Sequence, residues 1–230
     1  MTMVEFAEEN ADPDVLPLNE AAILLKGAPW RRMVTIGDSV AEGVRDPAPG
    51  YRNLSWVDRV GEALAAQAPG FTSLNLARRD LVAARVRETQ LAPALAFRPD
   101  LAFVVAGGND LLGRSFDPEA VRNELAAMVS AFRDAGADVV TIGLFDITRA
   151  GIIAERHRET MSSRTRTLGR VTGEVSAAYG GCHVVNPHDI PAASDPRIYS
   201  ADRLHLNARG HAIAAASTLR ALASRLNAPT

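Results

Sequence analysis

The stretch Met33–Gly43, MVTIGDSVAEG, runs from an apolar segment directly into Gly-Asp-Ser. A short apolar run that ends in such a turn is typical of a buried strand leading into a helix. The same three residues are also common in ordinary turns, because they tolerate unusual backbone angles and hydrogen-bond locally. Whether Ser39 is a nucleophile therefore depends on what the rest of the chain supplies around it.

Short apolar runs recur along the chain and alternate with longer amphipathic segments. They are residues 33–37, 72–77, 101–107, 138–144 and 182–187. Several are rich in valine and isoleucine, and most end in Gly, Pro or Asn, which is typical of buried parallel strands. Five strands alternating with helices predict an α/β fold, a three-layer sandwich around a five-stranded, mainly parallel sheet.

The amphipathic segments show helical spacing and recognisable start and stop residues. Asp117 before Pro118 marks one helix start, and Asn207 is a candidate cap for the last helix. Asn19 is a candidate cap for a short helix near the N-terminus. Apolar stripes run through residues 54–64, 121–132, 153–175 and 215–226, and the third includes His157 on its inward face.

We interpret residues 1–230 as a single domain, with an N-terminal arm and short helix at 1–30 and a core at 31–226. Residues 1–16 are acidic and contain Pro13, so we expect this part of the arm to be loose. The segment is acidic where a signal peptide would be basic, and no apolar run reaches the ~20 residues of a membrane span. We therefore expect a cytoplasmic protein without integral membrane association.

The overall composition excludes several classes of protein. The chain has 230 residues, 47% hydrophobic and 23% charged, as is ordinary for a globular protein. A net charge of −2 gives no electrostatic footprint for nucleic acid. With Cys182 as the single cysteine, neither an internal disulfide nor a cysteine metal cluster can form.

Ligands bind such sheets at the carboxyl ends of the strands, so the residues that follow each strand are the candidates for chemistry. The first strand delivers Ser39, the second Asn75–Asp80 and the third Gly107–Asp110. The segment after the fifth strand carries Asp202 and His205.

These residue types match the needs of a serine nucleophile. A serine hydroxyl needs a base to take its proton, and His205 can supply one. The base needs an acceptor on its far nitrogen, and Asp202, three residues earlier, can reach it. The oxyanion needs donors, which Asn109 and backbone amides at the strand ends can provide.

The ordered set GDS…GGND…DxxH resembles the SGNH, or GDSL, hydrolase family over roughly residues 32–226. The resemblance implies a flavodoxin-like sandwich with strand order 2-1-3-4-5, and ester hydrolysis through an acyl-enzyme with no metal or organic cofactor. It makes Ser39 the nucleophile, His205 the base and Asp202 its orienting residue. It also implies an oxyanion hole formed by the Ser39 amide, the Asn109 side chain and a third backbone amide.

The third donor is where the sequence departs from the family pattern, because Asp80 stands where the family has glycine. Its peptide N–H survives the change, and Asp tolerates positive φ better than most residues. Two interpretations of its side chain are open. Asp80 caps the helix that begins near Leu81, or its carboxylate opposes the developing oxyanion and favours a cationic substrate.

Arg78 and Arg79 flank this position. They are candidates for holding a carboxylate or phosphate on the substrate, the alternative being a solvated loop. Asp38 and Asp110 read as structural residues that bond nearby amides. The histidines other than His205 lack the spacing of a zinc site, so we expect no catalytic metal. Residues 147–153, after the fourth strand, are a candidate edge of the substrate pocket.

The sequence therefore predicts a serine esterase that acts on a small-molecule substrate, a small or medium acyl ester. An acyltransferase that passes the same acyl group to a non-water acceptor is the alternative that the sequence leaves open. A catalytically weak binding protein is less well supported, because all three triad residue types are present. No phosphate-binding glycine motif supports a nucleotide-binding protein. The oligomeric state stays open.

Overall fold

The computed structural model describes residues 6–184 and 191–227. Its centre is a five-stranded sheet in which every neighbouring pair of strands is parallel and the order is β2-β1-β3-β4-β5. The strands are β1 (Arg32–Gly37), β2 (Thr72–Asn75), β3 (Leu101–Val105), β4 (Asp138–Ile142) and β5 (Cys182–Val184). The predicted fold class and strand order are confirmed. The predicted end of the fifth strand, residues 185–187, and His188 lie outside the described residues.

Helices cover both faces of this sheet. They are α1 (Ala7–Ala11), α2 (Leu18–Leu24), α3 (Ser39–Glu42), α4 (Trp56–Ala65), α5 (Ala83–Ala96), α6 (Gly108–Leu112), α7 (Pro118–Asp134), α8 (Glu155–Ala178) and α9 (Ala208–Leu226). Short 3₁₀ turns lie at Ile147–Ala150, Pro191–Ser194 and Pro196–Ile198. Helices α2, α4 and α9 pack on one face, and α5, α7 and α8 on the other, which makes three layers.

Alternation along the central strands creates the two cores. Leu101, Phe103 and Val105 of β3 face the core formed with α4 and α9, whereas Ala102 and Val104 face the core formed with α7 and α8. Successive side chains of a strand point to opposite faces, so a strand covered on both sides must be apolar throughout. All five residues of β3 are accordingly buried.

The edge strand β2 does not follow this pattern. Three of its four residues are exposed, so the expectation of a buried strand is wrong here. The strand pairs only with β1 in the described sheet, and its sequence Thr-Ser-Leu-Asn supplies one large apolar side chain. His157 is a second correction, because it lies on the exposed side of α8.

The helix starts predicted from capping residues are mostly confirmed. Asp117 accepts hydrogen bonds from two backbone N–H groups at the start of α7, and Asn207 does the same for α9. Asn19 is not a cap, because it lies inside α2, whose N-cap position is Pro17.

The N-terminal segment from residue 6 is docked on the sheet's helical layer, which corrects the expectation of a loose arm. Glu9, only 6% exposed, forms ion pairs with Arg59 at 2.7 Å and Arg52 at 3.0 Å. Burial acts to raise the pKa of Glu9, but these guanidinium groups outweigh it and lower the pKa to about 2. Asp12 accepts from Tyr51 and Arg209 in the same way. Glu9 and Asp12 therefore attach the N-terminal segment to the rest of the domain.

Candidate active site

Ser39 lies directly after the central strand β1, at the first position of the short helix α3. Gly37 ends the strand with φ of +151°, and a Cβ there would lie 2.0 Å from the Val105 carbonyl oxygen, so only glycine fits. Asp38 follows as the N-cap of α3. The Ser39 N–H donates no hydrogen bond to any described residue. It is therefore free to meet a ligand.

Asp38 is buried and joins the ends of two strands. One carboxylate oxygen accepts from the Val40 N–H at 3.1 Å, and the other accepts from the Gly108 N–H at 3.2 Å. Burial raises the pKa of Asp38 to about 6, although both amide hydrogen bonds oppose the rise. The structural role predicted for Asp38 is confirmed. It fixes the position of Ser39 relative to α6.

His205 connects Ser39 to Asp202. Its Nε2 lies 2.7 Å from the Ser39 Oγ, and its Nδ1 lies 2.6 Å from Asp202 Oδ2. A carboxylate can only accept, so Nδ1 carries the ring proton and Nε2 presents a lone pair to the serine hydroxyl. Burial acts to raise the pKa of Asp202, but hydrogen bonds from His205 and Leu204 outweigh it and keep the pKa low.

The segment of residues 199–207, called here the His205 loop, folds largely on itself. The Ser200 N–H donates to the His205 carbonyl at 2.8 Å. Asp202 Oδ1 accepts from the Leu204 and His205 N–H groups at 2.9 and 3.0 Å. Arg203 takes a left-handed conformation with φ of +59° to allow this turn. One carboxylate therefore shapes the loop and orients the imidazole.

Asp46 fastens the His205 loop to the rest of the chain. Its side chain accepts from the Ala201 N–H at 2.8 Å, and its own N–H donates to the Ser200 hydroxyl at 3.0 Å. The Asp46 carbonyl accepts from the Ala208 N–H at the start of α9. Sequence reasoning missed this residue, because nothing in its neighbourhood marks a contact 155 positions away.

Asn109 lies in α6, directly after β3, and lines the same cavity as Ser39 and His205. Its Nδ2 donates to the Leu81 carbonyl at 3.0 Å. An amide nitrogen carries two hydrogens, so one donor of Asn109 remains available after this bond. Three of the four segments predicted at the sheet's carboxyl edge, those that carry Ser39, Asn109 and His205, therefore meet at one cavity.

Residues 76–82, called here the Asp80 loop, are hydrogen-bonded on either side of Asp80 to the helices that carry Ser39 and Asn109. Asp80 has φ of +66°, and its N–H donates no hydrogen bond within residues 6–184 and 191–227. The interpretation of Asp80 as a helix cap is wrong, since α5 begins at Ala83 with no side-chain cap. Asp110 accepts from the Ala83 N–H instead, at 2.9 Å, as expected of a structural residue. The Asp80 side chain is exposed.

A family model described as the GDSL-like lipase/acylhydrolase family matches residues 35–213 of this sequence. The chain belongs to this family. As a GDSL-like acylhydrolase it is a carboxylic ester hydrolase, and its substrates are small-molecule esters. The matched region extends from β1 into α9 and includes every residue of the site described above.

Solved structures with the same fold include an acetylxylan esterase and an alpha/beta hydrolase. A catalytic mutant of Axe2, an acetylxylan esterase from Geobacillus stearothermophilus, is 18% identical with a TM-score of 0.68, covering 86% of this chain and 94% of that chain. LAE5, an alpha/beta hydrolase enzyme from the metagenome of Lake Arreo, is 20% identical with a TM-score of 0.68, covering 88% and 98%. TesA is 19% identical with a TM-score of 0.58, covering 84% and 96%. A search of curated protein sequences found no significant match.

Arg78 and Arg79 of this GDSL-like hydrolase are held through their backbones. The Arg78 N–H donates to the Gly37 carbonyl at 3.1 Å, and the Arg79 N–H donates to Glu42 Oε2 at 2.6 Å. Both side chains are exposed, and neither lines the cavity at Ser39. Substrate binding by these arginines stays a prediction.

A cavity of about 100 Å³ adjoins Ser39 and His205. Its walls include Trp56, Phe145, Ile147 and Met161, so most of the lining is apolar. Ile147 begins the segment predicted to edge the pocket, which confirms that part of the expectation. Trp56 packs edge-to-face on Phe103, with 5.3 Å between ring centres, and also lines the cavity.

Two features are absent from the described part of the hydrolase. No set of three or more His, Cys, Asp or Glu side chains there is arranged to hold a metal ion. None of its helices combines the length and the hydropathy needed to cross a membrane.

Proposed function

We propose that this GDSL-like hydrolase cleaves small or medium acyl esters through an acyl-Ser39 intermediate. In this proposal His205 is the general base and then the general acid, and Asp202 orients it. The observation that carries the proposal is the continuous chain from Ser39 Oγ through His205 to Asp202, with contacts of 2.7 and 2.6 Å.

Acylation begins when the Ser39 hydroxyl gives its proton to His205 Nε2 and its oxygen bonds to the ester carbonyl carbon. The carbonyl π electrons move to the oxygen, which becomes an oxyanion. When the tetrahedral intermediate collapses, the bond to the alcohol oxygen breaks, and that oxygen takes the proton from Nε2. The acyl group remains on Ser39.

Deacylation repeats these steps with water. Water gives a proton to Nε2 as its oxygen attacks the acyl carbon, and the second tetrahedral intermediate releases the carboxylic acid and returns the proton to Ser39. Asp202 stays ionised throughout and stabilises the imidazolium, in line with its lowered pKa.

We assign the oxyanion to three donors: the Ser39 N–H, the Asp80 N–H and the Asn109 side-chain amide. Both backbone N–H groups are without an acceptor in the described structure, and Asn109 keeps one hydrogen free. Donors preset toward a developing charge contribute most where water is excluded. The aspartate at position 80, where the family has glycine, keeps the backbone N–H, so the number of oxyanion donors is still three.

The cavity supports a short acyl or alcohol group. Its volume of about 100 Å³ is small beside the ~300–1,000 Å³ of pockets for drug-sized ligands. Trp56, Phe145 and Met161 in its wall favour an apolar group. Leu112 and Leu204, 42% and 41% exposed, also line the cavity and offer apolar surface to a longer chain.

The Axe2 structures add support from chemistry. Catalytic mutants of Axe2 have a serine, an aspartate or a histidine changed to alanine, and that aspartate lies three positions before the histidine. Asp202 and His205 have the same spacing.

Hydrolysis of p-nitrophenyl esters from acetate to decanoate tests the proposal. We expect the wild type to turn over the shorter esters and Ser39→Ala to lose about 10⁴-fold or more in kcat. Ser224→Ala, which removes an exposed hydroxyl from α9, is the matched control and should retain full activity.

Full activity of Ser39→Ala would contradict an acyl-Ser39 intermediate. A wild type that is inert on every ester of the series would contradict hydrolysis of simple acyl esters. Adding a primary alcohol to the assay measures partition to a non-water acceptor, which is the acyltransferase outcome.

A further inference from the structure

The Asp80 loop is attached at a point close to Ser39. Glu42 lies three residues after Ser39, in the same turn of α3, and its Oε2 accepts from the Arg79 N–H at 2.6 Å. A hydrogen bond to an ionised acceptor of this length is among the stronger ones in proteins. Glu42 makes no other side-chain hydrogen bond or ion pair with the described residues.

A second bond holds the loop on the other side of Asp80. The Leu81 carbonyl accepts from Asn109 Nδ2 at 3.0 Å. Asp80 is therefore bracketed by hydrogen bonds from the two elements that carry Ser39 and Asn109. Between these two hydrogen bonds, Asp80 has φ of +66°, and its N–H has no acceptor among the described residues.

From this arrangement we infer that Glu42 is a positioning residue: its carboxylate holds the Asp80 N–H in register with the Ser39 N–H. The inference rests on the proposed function, since it assigns both amides to the oxyanion. Glu42 acts through Arg79 and touches neither the substrate nor the reacting atoms.

The Glu42–Arg79 hydrogen bond matters for the position of the loop because the loop follows β2, an edge strand. Strand β2 pairs on one side only in the described sheet and has three exposed residues out of four. The Arg79 side chain is exposed and makes no hydrogen bond or ion pair with the described residues. Arg79 is therefore held by the hydrogen bond from its N–H to the Glu42 carboxylate. An amide displaced by a fraction of an ångström donates poorly to an oxyanion, because hydrogen bonds weaken steeply with angle.

Three substitutions at Glu42 test the inference with a short p-nitrophenyl ester. Glu42→Ala removes the acceptor, and Glu42→Asp withdraws it by one methylene. We expect both to lower kcat about ten- to hundredfold with KM changed less than about threefold, since removing a whole donor costs about 10²–10³. Glu42→Gln keeps an oxygen acceptor of the same reach and should retain most activity.

Glu174→Ala is the matched control. It removes the same charge from α8, where Glu174 pairs with Arg122 and Arg170, and should leave kcat unchanged. Activity within twofold of the wild type for both Glu42→Ala and Glu42→Asp would overturn the inference. So would an equal loss in Glu42→Gln, because charge and not the acceptor would then be responsible.

Amide hydrogen exchange at Arg79 separates this inference from the proposed function. Loss of the acceptor should speed Arg79 exchange in Glu42→Ala and Glu42→Asp, but not in Glu42→Gln or Glu174→Ala. Unchanged exchange overturns the positioning role, whatever the activity. An inert wild type whose Arg79 exchange responds as expected overturns the proposed function instead.

Discussion

The His205 loop and the Asp80 loop approach Ser39 from different elements and are built in different ways. The His205 loop is shaped by its own residues, with Asp202 bonding two amides of its own turn and Ser200 bonding the His205 carbonyl. The Asp80 loop is shaped by residues distant in sequence, namely Gly37, Glu42 and Asn109.

The difference teaches where local sequence determines a site and where the fold does. An Asp-x-x-His turn carries most of its geometry with it, because a carboxylate can cap its own turn and orient the ring three residues later. The geometry of the Asp80 loop exists only after β1, β2 and β3 have assembled. Substitutions in the two loops should therefore have effects of different magnitude.

Asp202→Asn should abolish the base function of His205 while leaving the fold of the His205 loop intact. The asparagine oxygen can still accept from the Leu204 and His205 amides, but its NH₂ group would donate to Nδ1. The ring proton would then sit on Nε2, and Ser39 would lose its base. We expect kcat to fall on the order of 10³–10⁴-fold, measured on the p-nitrophenyl ester that the wild type prefers.

Asp134→Asn, at the C-terminal end of α7, removes the same charge away from the site and should have no effect on kcat. An Asp202→Asn enzyme within tenfold of the wild type would mean that the His205 loop orients the ring without its carboxylate.

The support of the His205 loop should weaken in acid. His211 of α9 accepts from the Trp56 N–H and contacts the Val44 carbonyl, and these residues flank the segment that carries Asp46. Burial lowers the pKa of His211 to about 4, so the unfolded chain takes up the proton first as the pH falls. Stability from His211 is complete above about pH 6.5 and lost by pH 4, a change of about 3 kcal/mol.

Chemical denaturation of the wild type and His211→Gln between pH 7 and 4 measures this difference. The comparison is needed because Asp38 titrates in the opposite sense: its pKa, raised to about 6, means that the folded state binds the proton first and gains stability as the pH falls. His157→Gln, on the exposed face of α8, is the control. Parallel pH profiles for the wild type and His211→Gln would contradict a buried neutral His211.

Asp80→Gly should have the smallest effect of these substitutions, and it tests whether the Asp80 carboxylate takes part in the reaction. Glycine keeps the N–H and adopts φ of +66° without strain, so we expect kcat to stay within about threefold of the wild type or to rise. Asp80→Ala removes the same carboxylate but keeps a Cβ in the left-handed region, which separates charge from strain. A loss above tenfold in Asp80→Gly would show that the Asp80 carboxylate itself contacts the substrate.

The sequence predicts the central strands well because strands covered on both faces are apolar throughout. Strand β3 is buried over all its residues, and the prediction locates it correctly. The predicted run at 72–77 locates the edge strand β2, but the prediction that it is buried is wrong, since a strand of four residues carries too little pattern to tell an edge from a centre.

Other errors came from contacts between residues distant in the chain. The composition of the acidic N-terminal segment predicts a solvated arm, because nothing nearby in the sequence shows that Glu9 pairs with Arg59. The same holds for Asp12 and Arg209. Asp80 reads as a helix cap until Asp110 of α6 takes the Ala83 amide. Asp46 carries no local sign of its bond to Ala201.

Strand β2, with three of its four side chains in solvent, has a consequence for how this enzyme can be altered. It leads into the loop that holds Asp80, so replacements at residues 78–80, whose side chains are all exposed, meet solvent instead of the core. Arg78 and Arg79 can be varied together, proline excepted, at little cost in folding, because surface substitutions away from special backbone angles usually change stability by less than about 0.5 kcal/mol. Asp80, with φ of +66°, is limited to residues that tolerate the left-handed region. The loop is thus a natural target for directed evolution of substrate preference, with Glu42 kept fixed as its anchor.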